Sequence, residues 1–159
     1  MKYFERYLKN LFMKFHISFR TKNDQSREEG IDLALLDLKY LLPDKRQWWE
    51  RRINDVLSCP DNKFIPRVNN AGSIKDGFLV MHNGIKVLPL SYSGYPMLKM
   101  LIENKGVHEP QEERVFFEIL KKMPERAVMM ELGCYWSFYS MCLTMRALSQ
   151  VKKILMQTA

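Results

Sequence analysis

The stretch Ala127-Val128-Met129-Met130-Glu131-Leu132-Gly133, followed by Cys134-Tyr135-Trp136-Ser137-Phe138-Tyr139-Ser140, decides how the chain is read. A short apolar run ending on an acid predicts a buried strand, the glycine a tight turn, and the residues after it a helix start. Strand, glycine turn and helix in that order open a doubly wound sheet, where ligands bind outside the carboxyl ends of the strands. A glycine at that edge lets the backbone approach a nucleotide closely.

Upstream, Phe78-Leu79-Val80-Met81, Asn83-Gly84 and Ile85-Lys86-Val87-Leu88 predict two strands around a tight turn, since Asn-Gly supplies the left-handed backbone that short hairpins need. Ser91 to Tyr95 predicts a turn, and Pro96 to Glu103 with Pro110 to Lys122 predict two helices separated by a loop at Gly106. Before the hairpin, helices are predicted over Arg27 to Leu41 and Lys45 to Leu57, ended by Pro43 and Pro60. Capping-box patterns at Ser26/Glu29 and Asp44/Gln47 support their starts. Trp48 and Trp49 read as half-buried packing residues. Phe4, Leu8, Leu11, Phe12 and Phe15 make an apolar stripe at helical spacing over Tyr3 to Phe15. These elements divide the chain into a helical region, 1–60, and a hairpin leading into a Rossmann-like sheet, 61–159.

Composition bounds the partners. With 159 residues, 47% of them hydrophobic, the chain can bury a sizeable core, and no apolar run approaches the roughly 20 residues that span a bilayer. No transmembrane segment and no secretory leader are expected. The formal charge of +7 is spread along the chain and interleaved with acids, so nucleic acid is not the expected partner. Cys59, Cys134 and Cys142 form no Cys-x-x-Cys pair and read as reduced cytoplasmic thiols rather than a disulfide framework or a zinc site.

From His82 to Gln157 the chain resembles the FkbM-type family of bacterial S-adenosylmethionine-dependent methyltransferases. The resemblance is carried by Gly106-Val107-His108-Glu109-Pro110-Gln111-Glu112-Glu113-Arg114-Val115-Phe116, by Met129-Met130-Glu131-Leu132-Gly133 and by Tyr135-Trp136-Ser137-Phe138-Tyr139-Ser140, in that order. It implies S-adenosylmethionine as cofactor, with Glu109, Glu131, Gly133, Tyr135, Trp136, Ser137 and Gln157 as binding residues. Glu131 meets the cofactor's ammonium, and Tyr135 or Trp136 offers an aromatic face to its sulfonium. The implied reaction is O-methyl transfer to a saccharide or other small metabolite.

Cys134 and Ser137 replace the family's small residue and later glycine, though a serine at a helix start still offers a hydroxyl. Val151 to Gln157 resembles the second strand, and Gln157 stands where an acid grips the ribose hydroxyls. A glutamine lacks the carboxylate's charge and paired acceptors, which implies weaker cofactor affinity. Ala159 follows directly, so the sheet is expected to be incomplete and the chain an inactive fragment, with self-association through the open sheet edge. No catalytic base is assigned: His82 and His108 read as loop histidines.

A rival class is a non-catalytic binding or interaction module, in which Glu112, Glu113 and Glu118 with Lys121 and Lys122 form an ordinary solvated helix face. Tyr135, Trp136, Phe138 and Tyr139 are then core. Peripheral membrane attachment through Met1 to Phe19 ranks third.

Overall fold

The hairpin forms where the Asn-Gly signal places it. In the computed structural model, which describes residues 31–124 and 127–157 with side chains through Ala147, β2 (Phe78–Val80) and β3 (Lys86–Val87) pair antiparallel, Leu79 opposite Val87 and Val80 opposite Lys86. Gly84, at φ 88°, closes the loop by donating to the Met81 carbonyl, while the Asn83 side chain accepts from the Ile85 amide. A short strand that the sequence did not signal, β1 (Ile74–Lys75), adds to the other edge of β2 through a turn at Asp76-Gly77. The three strands make one antiparallel sheet in the order β1-β2-β3.

Among the described residues there are four α-helices: α1 (Pro43–Ser58), α2 (Gly94–Glu103), α3 (Pro110–Lys122) and α4 (Phe138–Gln157). The predicted helices at Pro96 and Pro110 are therefore present, giving a mixed α/β class. The described residues from Leu33 onward belong to one compact unit. Its core joins Ile53 and Val56 of α1, Leu79 and Val80 of β2, Val87 of β3, and Met97, Leu98, Met100 and Leu101 of α2. Burying a side chain of this size contributes about 1.5–3 kcal/mol. α1 packs on α2, and α3 packs on α4 and on a 3₁₀ turn at Pro60–Phe64.

Several expectations are corrected. Where one helix was expected up to Leu41, the described part holds two 3₁₀ turns, Leu33–Leu36 and Leu38–Tyr40. Asp37 breaks the run by accepting a hydrogen bond from the Lys39 amide, a local bond that competes with the helix ladder. Pro43 opens α1 at its first turn, where a missing N–H costs nothing. Asp44 therefore lies inside the helix and is not its cap. Trp49 is half-buried, but Trp48 is exposed and meets it edge to face at 4.9 Å. Ala127 to Met130 is not a strand, because no neighbouring strand is present among the described residues to share its hydrogen bonds. Val151 to Gln157 is not a strand either; it continues α4, so Gln157 does not close a strand edge. No parallel pair exists among the described residues. The stripe over Tyr3 to Phe15 and the Ser26/Glu29 pattern lie outside the described residues.

The segment between α2 and α3 shapes the site. Asn104 caps α2, Lys105 at φ 51° donates its amide to Ile102 O, and Gly106 at φ 76° donates to Leu101 O, the paired bonds of a Schellman ending. A Cβ on Gly106 would stand 2.6 Å from the Met81 backbone. Only glycine lets the loop lie this close to the hairpin, and the His82 amide then donates to the Gly106 carbonyl at 3.2 Å.

Candidate functional site

That close approach brings two histidines, distant in sequence, onto one carboxylate. Glu113, in the first turn of α3, is buried at 3% exposure beside His82 at 3% and His108 at 7%. Its Oε1 accepts from the backbone amides of His108 at 2.9 Å and Glu109 at 3.2 Å, satisfying N–H groups at the start of α3. The two imidazoles flank it: His108 Nδ1 is 2.6 Å from Oε1 and His82 Nε2 is 2.9 Å from Oε2. Both ring contacts lie off the ideal hydrogen-bond line, yet both distances are those of charge-assisted contacts. Burial pushes the Glu113 carboxyl upward, but the His108 and His82 rings outweigh it and hold the group at about 2.

The other face of these imidazoles meets the glycine turn. Phe138 is 2% exposed and lies 5.9 Å from the His82 ring and 5.7 Å from the His108 ring. Trp136 meets His108 edge to face at 5.2 Å and Tyr92 at 5.2 Å, and Tyr135 meets Tyr92 at 4.7 Å. The backbone is left-handed at Gly133 (φ 67°), Tyr135 (φ 39°) and Ser137 (φ 56°), and two of these residues carry a Cβ that makes this conformation costly.

The sequence-predicted residues fall into three groups. Tyr135 and Trp136 come together with Tyr92 as an aromatic face, Tyr135 exposed and Trp136 half-buried. Glu131 sits before the turn and is half-buried; its Oε2 accepts from the Ser140 amide at 3.0 Å and from the Ser140 hydroxyl, so it braces the first turn of α4. Gly133 is exposed, with nothing within 4 Å of a Cβ built on it, so its freedom serves φ rather than a crowded approach. Ser137 donates its amide to the Cys134 carbonyl and accepts from the Met141 amide, shaping the start of α4. Glu109 is apart from the turn's backbone: it pairs with Arg52 of α1. Gln157, at the end of α4, does not join the group as a strand-end ribose ligand.

Sequence reasoning missed the buried cluster itself. Glu113 was read as one of several acids on a solvated face, whereas only Glu112 and Glu118 are exposed; Glu118 pairs with Lys121 at 2.6 Å and Glu112 accepts from the Tyr139 hydroxyl at 3.1 Å. A signal existed in His108-Glu109-Pro110: proline at the first helical position leaves preceding amides to be capped, and a glutamate one turn on can reach back to them. Nothing local marks His82 as the second partner.

The described residues hold no group of histidine, cysteine or acidic side chains arranged for a metal ion. No protein-family model matches the chain, and neither does any curated protein or solved structure.

Proposed function

We infer that the chain carries the cofactor-facing turn of an S-adenosylmethionine-dependent methyltransferase of the FkbM type, acting by O-methyl transfer on a saccharide or other small metabolite in the cytoplasm. One observation carries this reading: a left-handed turn at Gly133 to Ser137 presents Tyr135 and Trp136 beside Tyr92, directly after Glu131 and directly before α4. A sulfonium is attracted to such aromatic faces, and an ammonium to a carboxylate. Glu131 bonds to Ser140 through Oε2, and among the described residues no hydrogen bond is made by Oε1, which is thus placed to meet a ligand; Gly133 puts no side chain in the way. The fit covers the amino-acid and sulfonium ends of the cofactor. It does not extend to the ribose, because Gln157 lies in a helix.

Calorimetric titration of the chain with S-adenosylmethionine and S-adenosylhomocysteine tests the reading. Saturable binding is expected, about two- to thirtyfold weaker in Tyr135→Ala, since one cation–π contact is worth about 0.5–2 kcal/mol. Tyr135 is 80% exposed, so the variant should fold as the parent does. Absence of binding by the folded parent chain overturns the reading.

A second reading, a non-catalytic interaction module, is favoured by one feature. Val128, Met130 and Leu132, in the stretch without helix or strand that runs into the turn, are 96%, 82% and 85% exposed, and the alternate residues Met129 and Glu131 are half-covered. An unpaired segment of this kind offers its backbone to another strand.

A further inference from the structure

Helix α3 turns one side inward and an apolar ridge outward. Glu113 and Leu120 are buried, which anchors the helix, while Val115 and Ile119 on the opposite side are 58% and 48% exposed. With Gln111 these two form a single row at four-residue spacing. A groove follows each side of the row, about 350 Å³ beside Asp61, Arg114 and Glu118 and about 430 Å³ beside Phe116 and Tyr139. A ridge between two grooves is the shape a second helix packs against, since its own ridge then lies in one of the grooves.

The charges on this face select the occupant. Glu112 stands at its N-terminal end and Lys122 at its C-terminal end, both exposed. Arg114 is taken by Asp61 and Lys121 by Glu118, whereas Lys122 is in no ion pair among the described residues. Glu112 accepts the Tyr139 hydroxyl through Oε2, and a carboxylate has further acceptor sites. Val115 and Ile119 are equally spaced about position 117, and so are Glu112 and Lys122. A two-fold axis at that position sets an antiparallel second α3 with Val115 against Ile119 and Glu112 against Lys122, each contact made twice. We propose that α3 is a self-docking surface, on which the α3 of a second copy of this chain packs antiparallel, ridge into groove, about a two-fold axis at position 117. The face is one short helix, widened by Phe64, which is 53% exposed and lies 4.2 Å from the Arg114 guanidinium. Its size belongs to the small interfaces, so association in about the micromolar range is expected. The surface involves neither Glu131 nor the turn after it, and it does not rest on the cofactor reading.

Sedimentation of the full chain from about 1 µM to about 1 mM tests the proposal, and a monomer–dimer equilibrium is expected. Val115→Glu with Ile119→Glu should weaken association by about tenfold or more, because the ridge then carries like charges on both copies. Both positions are exposed, so circular dichroism should show the parent's fold. Glu112→Lys alone, or Lys122→Glu alone, sets like charges across the axis and should weaken association several-fold, most at low salt. Glu112→Lys and Lys122→Glu together should restore it, a rescue that only the antiparallel pairing provides. A monomer at every concentration overturns the proposal and gives the ridge to another occupant. A dimer that survives Val115→Glu with Ile119→Glu overturns it too, as does one that Val128→Lys with Met130→Lys removes. Failure of the double charge exchange to restore association overturns the two-fold pairing.

Discussion

Glu113 places a charge where an ordinary helix glutamate would be solvated, and its cost and benefit are both readable. The folded carboxyl sits at about 2 against an ordinary 4.5, so it contributes stability that is fully present above pH 4.5 and lost as pH falls from there toward about 2. That difference corresponds to about 3 kcal/mol. Denaturant titrations at descending pH should show the midpoint falling through this window, and Glu113→Gln should flatten the fall. An unchanged midpoint would show that the imidazoles do not hold the carboxylate. At this scale the sequence is least transparent. His82 and Glu113 are linked only because Gly106 lets two loops touch, and that contact has no signature within a few residues of either partner. Tyr135 and Trp136, by contrast, were legible as an aromatic pair, since neighbours on a turn stay neighbours in space.

At the scale of elements, what could be read depended on where the partner lies. The hairpin closes on itself within ten residues, and its turn chemistry is local, so its position and pairing follow from Asn83-Gly84. α2 and α3 follow from their apolar spacing and from Pro110 at a helix start. Ala127 to Met130 has the composition of a strand, but a strand exists only through its neighbours, and the described residues supply none. Val151 to Gln157 lacks a turn signal between it and Phe138, and without a sheet to join it extends the helix already begun. The exposed alternation at Val128, Met130 and Leu132 carries a prediction of its own. If this edge pairs with a second copy, sedimentation should show mass rising with concentration, and Val128→Lys with Met130→Lys should return the chain to monomer. Lysine on an edge strand discourages pairing without touching the core. Concentration-independent monomer in the parent chain would remove self-association through this edge.

Across the whole molecule, burial is concentrated on the hairpin, α1 and α2, while the turn at Gly133 to Ser137 lies over the histidines at the rim of that core. No helix among the described residues is long and apolar enough to cross a membrane. The α/β class was legible, whereas the Rossmann-like sheet was not: the described residues hold only the antiparallel sheet, and the two segments expected as its strands are an unpaired stretch and part of α4. The distribution of sulfur over this architecture has a practical side. Cys59 is buried, the Cys142 thiol receives the Asn83 amide at 3.2 Å and is pushed up to about 12, and Cys134 alone is exposed. Alkylation needs an accessible thiolate, so at mildly alkaline pH a maleimide should consume one equivalent quickly and the rest only on unfolding, with the tryptic peptide map locating the adduct at Cys134. Equal rates at all three would contradict this burial. A chemist thus has a ready attachment point directly beside the aromatic pair: a fluorophore or spin label placed at Cys134 without any mutation would report, from within the loop, what arrives at Tyr135 and Trp136.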